Sequence, residues 1–284
     1  MEVTQDYAAR KARPFLKWVG GKGQLLEQLR PLRPTSFTRY YEPFVGGGAM
    51  FFDLEPKSAV LSDANLELID CYRAIQCRIQ EVIDEIRKIP INEETYYKVR
   101  AMKPADLPLA ARAARMIYLN KTDFNGLYRV NKSGGFNVPW GKWKPGKLPT
   151  TCDEENLRAC SVALAGAVLM HDDFESAVKD APPGSWIYFD SPYLPVSKTA
   201  YFTSYTVDGF GLADMERLAQ LCSRLAKRGV NVMLSSPDIP KIRELFDGFH
   251  IHAVQARRNV NCNAAKRGKV GEVVVTSYGT GETT

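Results

Sequence analysis

Along this chain, short apolar runs that stop at polar residues alternate with stretches whose apolar positions recur every three or four residues. The runs at 40–45, 59–61, 167–170, 186–189, 230–234, 250–255 and 273–278 read as strands. Helical spacing marks 24–29, a helix starting at 49–52, then 65–89, 109–120, 157–164, 175–179 and 212–227. Within 65–89 the residues Leu66, Ile69, Tyr72, Ile75, Ile79, Val82, Ile83 and Ile86 keep that spacing, which predicts one long helix. Strands alternating with helices predict an α/β fold with an open sheet, whose ligands bind beyond the carboxyl ends of the strands. The most apolar strand, Trp186-Ile187-Tyr188-Phe189, ends at Asp190-Ser191-Pro192-Tyr193. It would bury four large side chains and then present a carboxylate and a phenol, with Pro192 stiffening the loop. Read alone, those four residues equally suit an ordinary Asp-Ser-Pro turn.

Two glycine loops precede predicted helices. Phe15-Leu16-Lys17-Trp18-Val19-Gly20-Gly21-Lys22 leaves backbone N–H groups free for an anion, or simply starts a helix. It lacks the spacing of a triphosphate-binding loop, since no hydroxyl follows Lys22. The second is richer: a strand, Gly46-Gly47-Gly48, a helix, then a second strand ending at Ser62-Asp63. That order is a nucleoside-binding βαβ unit, with Asp63 placed to accept from ribose hydroxyls. Phe51 stands where the dinucleotide fingerprint needs its third glycine, so a nucleoside without a pyrophosphate fits better. At the third strand end, Asp172 or Asp173 could reach an adenine amino group or cap the next helix, and His171 reads as structural.

Residues 121–147 change character. Leu127–Val130 and Phe136–Val138 flank Lys-Ser-Gly-Gly, a hairpin pattern, and basic, amide and aromatic side chains interleave with little that could form a buried face. Lys and Arg suit phosphates, Asn and Arg suit base edges, and Phe124 can wedge between bases. Trp140 and Trp143 could equally pack on the domain. Arg257, Arg258, Lys266, Arg267 and Lys269 join the last two strands, as a DNA-facing loop or a solvated one.

Composition narrows the chemistry. The 284 residues make one large domain, or one domain with an insertion. Three histidines, and six cysteines with no C-x-x-C pair, point to neither a zinc site, a disulfide framework nor a Ser-His triad, so no metal is expected. The net charge of +6 permits a polyanionic partner without requiring one. No apolar run is long enough to span a bilayer and no signal pattern opens the chain. The expectation is a cytoplasmic monomer that does not associate with membranes.

Taken in order, these motifs resemble the Dam-type family of DNA adenine-N6 methyltransferases, over nearly the whole chain from about Phe15 to Tyr278. The two glycine loops are similar to that family's cofactor motifs. Asn125-Gly126-Leu127-x-Arg129 with Phe136-Asn137-Val138-Pro139 is similar to its target-recognition hairpin. The resemblance implies a Rossmann-like methyltransferase sheet, mostly parallel with an antiparallel C-terminal strand, carrying an inserted helical and β-hairpin DNA-recognition domain. Residues 1–68 and 146–284 would form the catalytic domain and 69–145 the recognition domain. The implied reaction moves a methyl group from S-adenosylmethionine to adenine N6 in double-stranded DNA, within GATC, by base flipping.

By the same resemblance Trp18, Lys22, Phe44, Gly46, Gly48, Asp63, Asp173 and Phe174 would bind S-adenosylmethionine. Asp190, Ser191, Pro192 and Tyr193 would be catalytic, and Lys17, Phe124, Asn125, Leu127, Arg129, Pro139 and Lys142 would contact DNA. Two departures stand out: Ser191 replaces the first proline of the usual Asp-Pro-Pro-Tyr, and Lys142-Trp143 stand where members often carry Arg and Tyr. Two alternatives stay open at this point. A similar loop serves methylation of protein glutamine amides, and the Ser191 change could leave a DNA-binding protein with impaired catalysis.

Overall fold

The structure, a computed structural model, describes residues 11–131, 134–144, 146–193, 210–257 and 269–280. The hairpin tip at 132–133, the polar loop at 203–206 and the basic link at 258–268 lie outside the described residues.

The strands β1 (Tyr40–Glu42), β2 (Ala59–Asp63), β3 (Ala167–His171), β4 (Trp186–Phe189), β5 (Asn231–Pro237), β6 (His250–Arg257) and β7 (Lys269–Thr276) form one sheet in the order β3-β2-β1-β4-β5-β7-β6. All pairs from β3 to β5 are parallel, and β7 runs antiparallel to both β5 and β6. This is the mostly parallel sheet with one reversed C-terminal strand that the resemblance implied. The strand order turns back at β1 and β4, so a crevice opens beyond their carboxyl ends. Asp190 and the Gly46 loop both leave the sheet there.

Alternate residues explain why the sheet is covered on both faces. Tyr40, Leu61, Trp186, Tyr188 and Met233 face one buried cluster, while Tyr41, Val60, Ile187, Phe189 and Leu234 face the other. Trp186 packs against Tyr40 with ring centres 5.1 Å apart, and the Tyr188 and Ser235 hydroxyls hydrogen-bond at 2.9 Å inside the sheet. Such a strand has no solvated face, which is why its sequence is a continuous apolar run.

The helices are α1 (Leu26–Leu29), α2 (Ala49–Leu54), α3 (Leu66–Cys77), α4 (Ile79–Arg87), α5 (Glu93–Ala101), α6 (Leu109–Thr122), α7 (Glu154–Leu164), α8 (Phe174–Val178), α9 (Leu212–Lys227) and α10 (Pro240–Leu245). The single helix expected over 65–89 is two. At Arg78 the backbone leaves helical dihedrals (φ −136°, ψ 29°) and a new helix starts at Ile79. The apolar spacing runs straight across the break, because α3 and α4 bury their stripes in the same cluster. The pattern missed α5, of which only Tyr96 and Val99 are buried, and α10, despite its first-turn Pro240. The first strand ends at Glu42 rather than at 45, since the chain turns there into the glycine loop.

α3 runs through residue 69, where the recognition unit was expected to begin. Ile69, Tyr72, Ile83 and Ile117 share one buried cluster with Tyr40, Leu61 and Trp186. Among the described residues no helix is long and apolar enough to cross a membrane.

Candidate active site

The glycine loop after β1 is shaped by what presses on it. Gly46 and Gly48 have φ of 46° and 67°, the left-handed region that side chains disfavour. A Cβ at Gly46 would lie 2.7 Å from Trp18 Cδ1, and one at Gly48 would lie 2.7 Å from the Tyr72 hydroxyl. The Tyr72 hydroxyl donates to the Gly46 carbonyl at 3.0 Å. At the end of β2 the Asp63 carboxylate accepts from Gly46 N at 3.1 Å and from Asn65 N at 3.0 Å. Burial pushes its pKa up to about 6, against those two N–H groups and His171. Phe44 stacks on Phe174 at 5.3 Å and meets Phe210 edge-on at 5.9 Å. A glycine cradle, a carboxylate at the second strand end and a set of aromatic rings suit a nucleoside: hydroxyls for Asp63, a flat base for the rings.

Asp173 is more committed than the sequence suggested. One of its oxygens caps α8 by accepting from Glu175 N at 3.0 Å, and the other pairs with Arg217 at 2.6 Å. Arg217 also lies 4.5 Å above the Phe174 ring. His171 bonds the Ala64 carbonyl through Nε2 at 3.1 Å, a structural role as read.

Asp190 meets Lys22 at the switch point. The Lys22 ammonium lies 2.6 Å from Asp190 Oδ1, donates to the Gly20 carbonyl at 3.0 Å and sits 4.8 Å from the centre of the Tyr193 ring. Its side chain is only 3% exposed. Burial opposes the charge, yet Asp190, Tyr193 and Glu272 together hold the Lys22 pKa above its ordinary value. Burial pushes the Asp190 carboxyl upward, and Lys22 opposes that shift. The result is an anchored carboxylate at the mouth of the crevice, beside a half-exposed aromatic ring.

Most of the predicted DNA-contacting residues reach solvent. Lys17, Phe124, Asn125, Arg129, Pro139 and Lys142 are exposed and Leu127 is half-buried. Asn125 adopts φ 64° and turns the chain. The hairpin is present as an isolated bridge between Val130 and Phe136, with Asn137 N bonded to the Arg129 carbonyl at 2.8 Å. The Arg129 guanidinium closes it by donating to the Asn137 carbonyl at 3.2 and 2.5 Å. Both tryptophans pack on the domain, Trp140 against Tyr96 at 5.4 Å and Trp143 through its N–H on the Thr122 carbonyl at 3.0 Å.

Sequence reasoning missed the residues that hold the hairpin segment to the Lys17–Trp18 loop. The buried Asn120 amide accepts from Lys17 N at 2.7 Å and donates to the Lys17 carbonyl at 2.8 Å and the Gly126 carbonyl at 3.2 Å. Tyr128 of the hairpin stacks on Trp18 at 5.3 Å. Burial pushes the Asp123 carboxyl up to about 8, with the N–H groups of Gly126 and Leu127 and the charge of Lys17 working against it. Asn120→Leu would leave those three backbone groups without their partner and is expected to cost about 2–4 kcal/mol of stability. An unchanged denaturation midpoint would contradict the clamp.

Glu272 is the other omission. It is a lone glutamate inside the apolar strand β7, and its carboxylate accepts from the Tyr193 hydroxyl at 2.5 Å. A charge within Val-Gly-Glu-Val-Val-Val was the signal available for it.

Known proteins resemble this chain over most of its length. The chain is 42% identical over 275 residues to a type II methyltransferase of Lactococcus lactis subsp. cremoris, M1.LlaDCHI, covering 94% of this chain and 96% of that one. It is 39% identical to the type II methyltransferase M.MjaIII of Methanocaldococcus jannaschii, over 94% and 100% of the two chains. The DNA adenine methylase of Escherichia coli K12 is 32% identical over 269 residues, 93% of this chain and 95% of that one. Together these favour adenine in DNA over a protein amide as the substrate, and an enzyme over a binding protein. Residues 18–260 match the D12 class N6 adenine-specific DNA methyltransferases, and the chain belongs to that family.

Proposed function

We propose that the enzyme methylates adenine N6 within GATC, as a cytoplasmic monomer without a metal. In this reading residues 69–145 form the recognition unit and Asp190–Tyr193 act on a flipped base. The anchored Asp190 beside the exposed Tyr193 ring carries it. Family membership implies S-adenosylmethionine, and the residues present fit it: Asp63 for the ribose hydroxyls, Phe44 for the adenine with the buried Phe174 packed behind it, the Gly46–Gly48 turn and Trp18 for close approach, and Asp173 and Lys22 at the margins. When bound, the cofactor supplies an electrophilic methyl group on a sulfonium.

The protein's own contribution is orientation. Adenine N6 is a poor nucleophile because its lone pair is delocalised into the ring. The Asp190 carboxylate and the Ser191 carbonyl accept its two N–H hydrogens, which favours a tetrahedral nitrogen with its lone pair free to attack. Lys22 fixes the carboxylate for that task. Tyr193 stacks on the extruded base and offsets part of the few kcal/mol lost on unstacking. Lys17, Asn125, Leu127, Arg129, Pro139 and Lys142 contact the duplex, and Phe124 fills the space the base leaves.

The test is methylation of duplexes with and without GATC using labelled S-adenosylmethionine, followed by digestion to nucleosides and mapping of modified sites. N6-methyladenine confined to GATC is expected, and N6-methyladenine at another sequence would overturn the site assignment.

Two further outcomes follow. The folded pKa of Asp63, about 6, lies above its ordinary 3.8, so the folded state holds the proton more tightly and ionisation of Asp63 costs stability as pH rises through that window. Ribose hydroxyls need the ionised form, so cofactor affinity should weaken up to about tenfold per pH unit below about 6. A dissociation constant that is flat from pH 5 to 7.5 would contradict a role for Asp63. Ser191→Pro restores the family's loop and should be neutral or modestly faster, since the chain-entropy gain is only about 0.4–1 kcal/mol. Inactivity of the natural chain that this substitution rescues would reverse that expectation.

A further inference from the structure

The reversed strand β7 delivers a carboxylate to the reaction end of the sheet. Because β7 runs against β5, Glu272 pairs with Pro237 at the carboxyl end of β5, on the same side as Asp190. Glu272 is 7% exposed and followed by the buried Val273, Val274 and Val275. One of its oxygens accepts from the Tyr193 hydroxyl at 2.5 Å, and the other is buried with no hydrogen-bond partner among the described residues. A buried carboxylate with a lone oxygen destabilises a strand that a valine would stabilise, so a packing role does not explain it.

Tyr193 needs what Glu272 supplies. Its ring is 39% exposed, so packing alone does not hold it. Lys22 lies 4.8 Å from the ring centre, and Glu272 fixes the hydroxyl at the ring's far edge. A ring held at one face and at its edge leaves the opposite face free for a base.

We infer that Glu272 is a positioning residue: it clamps the Tyr193 hydroxyl and sets the angle at which the ring meets the target adenine. This rests on the proposal that Tyr193 stacks on that base.

The test is a double-mutant cycle in single-turnover methylation, with cofactor binding measured alongside. Tyr193→Phe and Glu272→Ala should each slow the methyl-transfer step about tenfold, the size expected for one hydrogen bond to a charged acceptor. Cofactor affinity should stay unchanged in both. The double variant should be no slower than either single one, and Glu272→Gln, which keeps an acceptor oxygen, should recover most of the rate. Multiplied losses in the double variant, about a hundredfold, would overturn the inference and leave Glu272 a strand residue. If Glu272→Ala does not fold, Tyr193→Phe decides by itself, because it removes the same bond without touching β7; a natural rate would overturn the clamp. Tyr193→Ala tests the underlying reading separately. A natural rate there would sink base stacking by Tyr193, whereas a slow Tyr193→Ala with additive Phe and Ala losses would sink only the clamp.

Discussion

Replacing Asp190 by asparagine or alanine is expected to slow single-turnover methyl transfer on the order of 10³-fold. The carboxylate is an acceptor aimed at the nitrogen that must pyramidalise, so its loss falls on the transition state and lowers the rate more than it weakens DNA binding. The two variants should part company in stability. Alanine removes the Asp190 oxygen 2.6 Å from a Lys22 ammonium that is 3% exposed, and the Gly20 carbonyl does not neutralise that charge. Breaking a buried pair in this way costs roughly 3–5 kcal/mol. Asparagine keeps the volume and one acceptor oxygen, so it should stay closer to the natural denaturation midpoint. An asparagine variant methylating at the natural rate would remove Asp190 from the reaction.

Gly46→Ala is expected to abolish measurable cofactor binding, a loss above about 100-fold, because three constraints meet at that residue. Its φ of 46° is strained for any side chain, at about 1–2 kcal/mol. The added Cβ would lie 2.7 Å from Trp18 Cδ1, so the indole must move. Moving Trp18 disturbs its stacking on Tyr128, and with it the seat of the recognition hairpin. DNA binding should therefore weaken together with cofactor binding. Gly47→Ala is the control: its Cβ would meet Trp18 Cβ at 3.2 Å, close enough to need only a small shift. Calorimetric titration with the cofactor separates the two, and equal affinities would show that the Gly46 turn does not form the cradle.

Which of these features a reader of the sequence could see depends on whether the signal is local. The buried strands are legible because a strand covered on both faces must be apolar throughout, as at Trp186–Phe189. The strand-end residues Asp63 and Asp190 are legible because polarity changes abruptly there. The break at Arg78 is not, since the apolar stripe has the same spacing on either side of it. Neither is α5, whose Glu-Glu-Thr-Tyr-Tyr-Lys-Val-Arg-Ala mixes polar and aromatic residues because the helix buries only two of them.

By itself the chain's order of apolar runs, glycine turns and terminal carboxylates determined an α/β sheet whose strands end at Asp63 and Asp190. The joint order of its motifs determined the family. Only the tertiary structure decided what each polar group faces. Lys22 and Asp190 are 168 residues apart, Asn120 and Lys17 are 103 apart, and Tyr193 and Glu272 are 79 apart. No periodicity spans such distances. The last of those pairs exists because the sheet order sets β4 beside β5 and runs β7 against β5, which brings Glu272 to the end at which Asp190–Tyr193 leave β4.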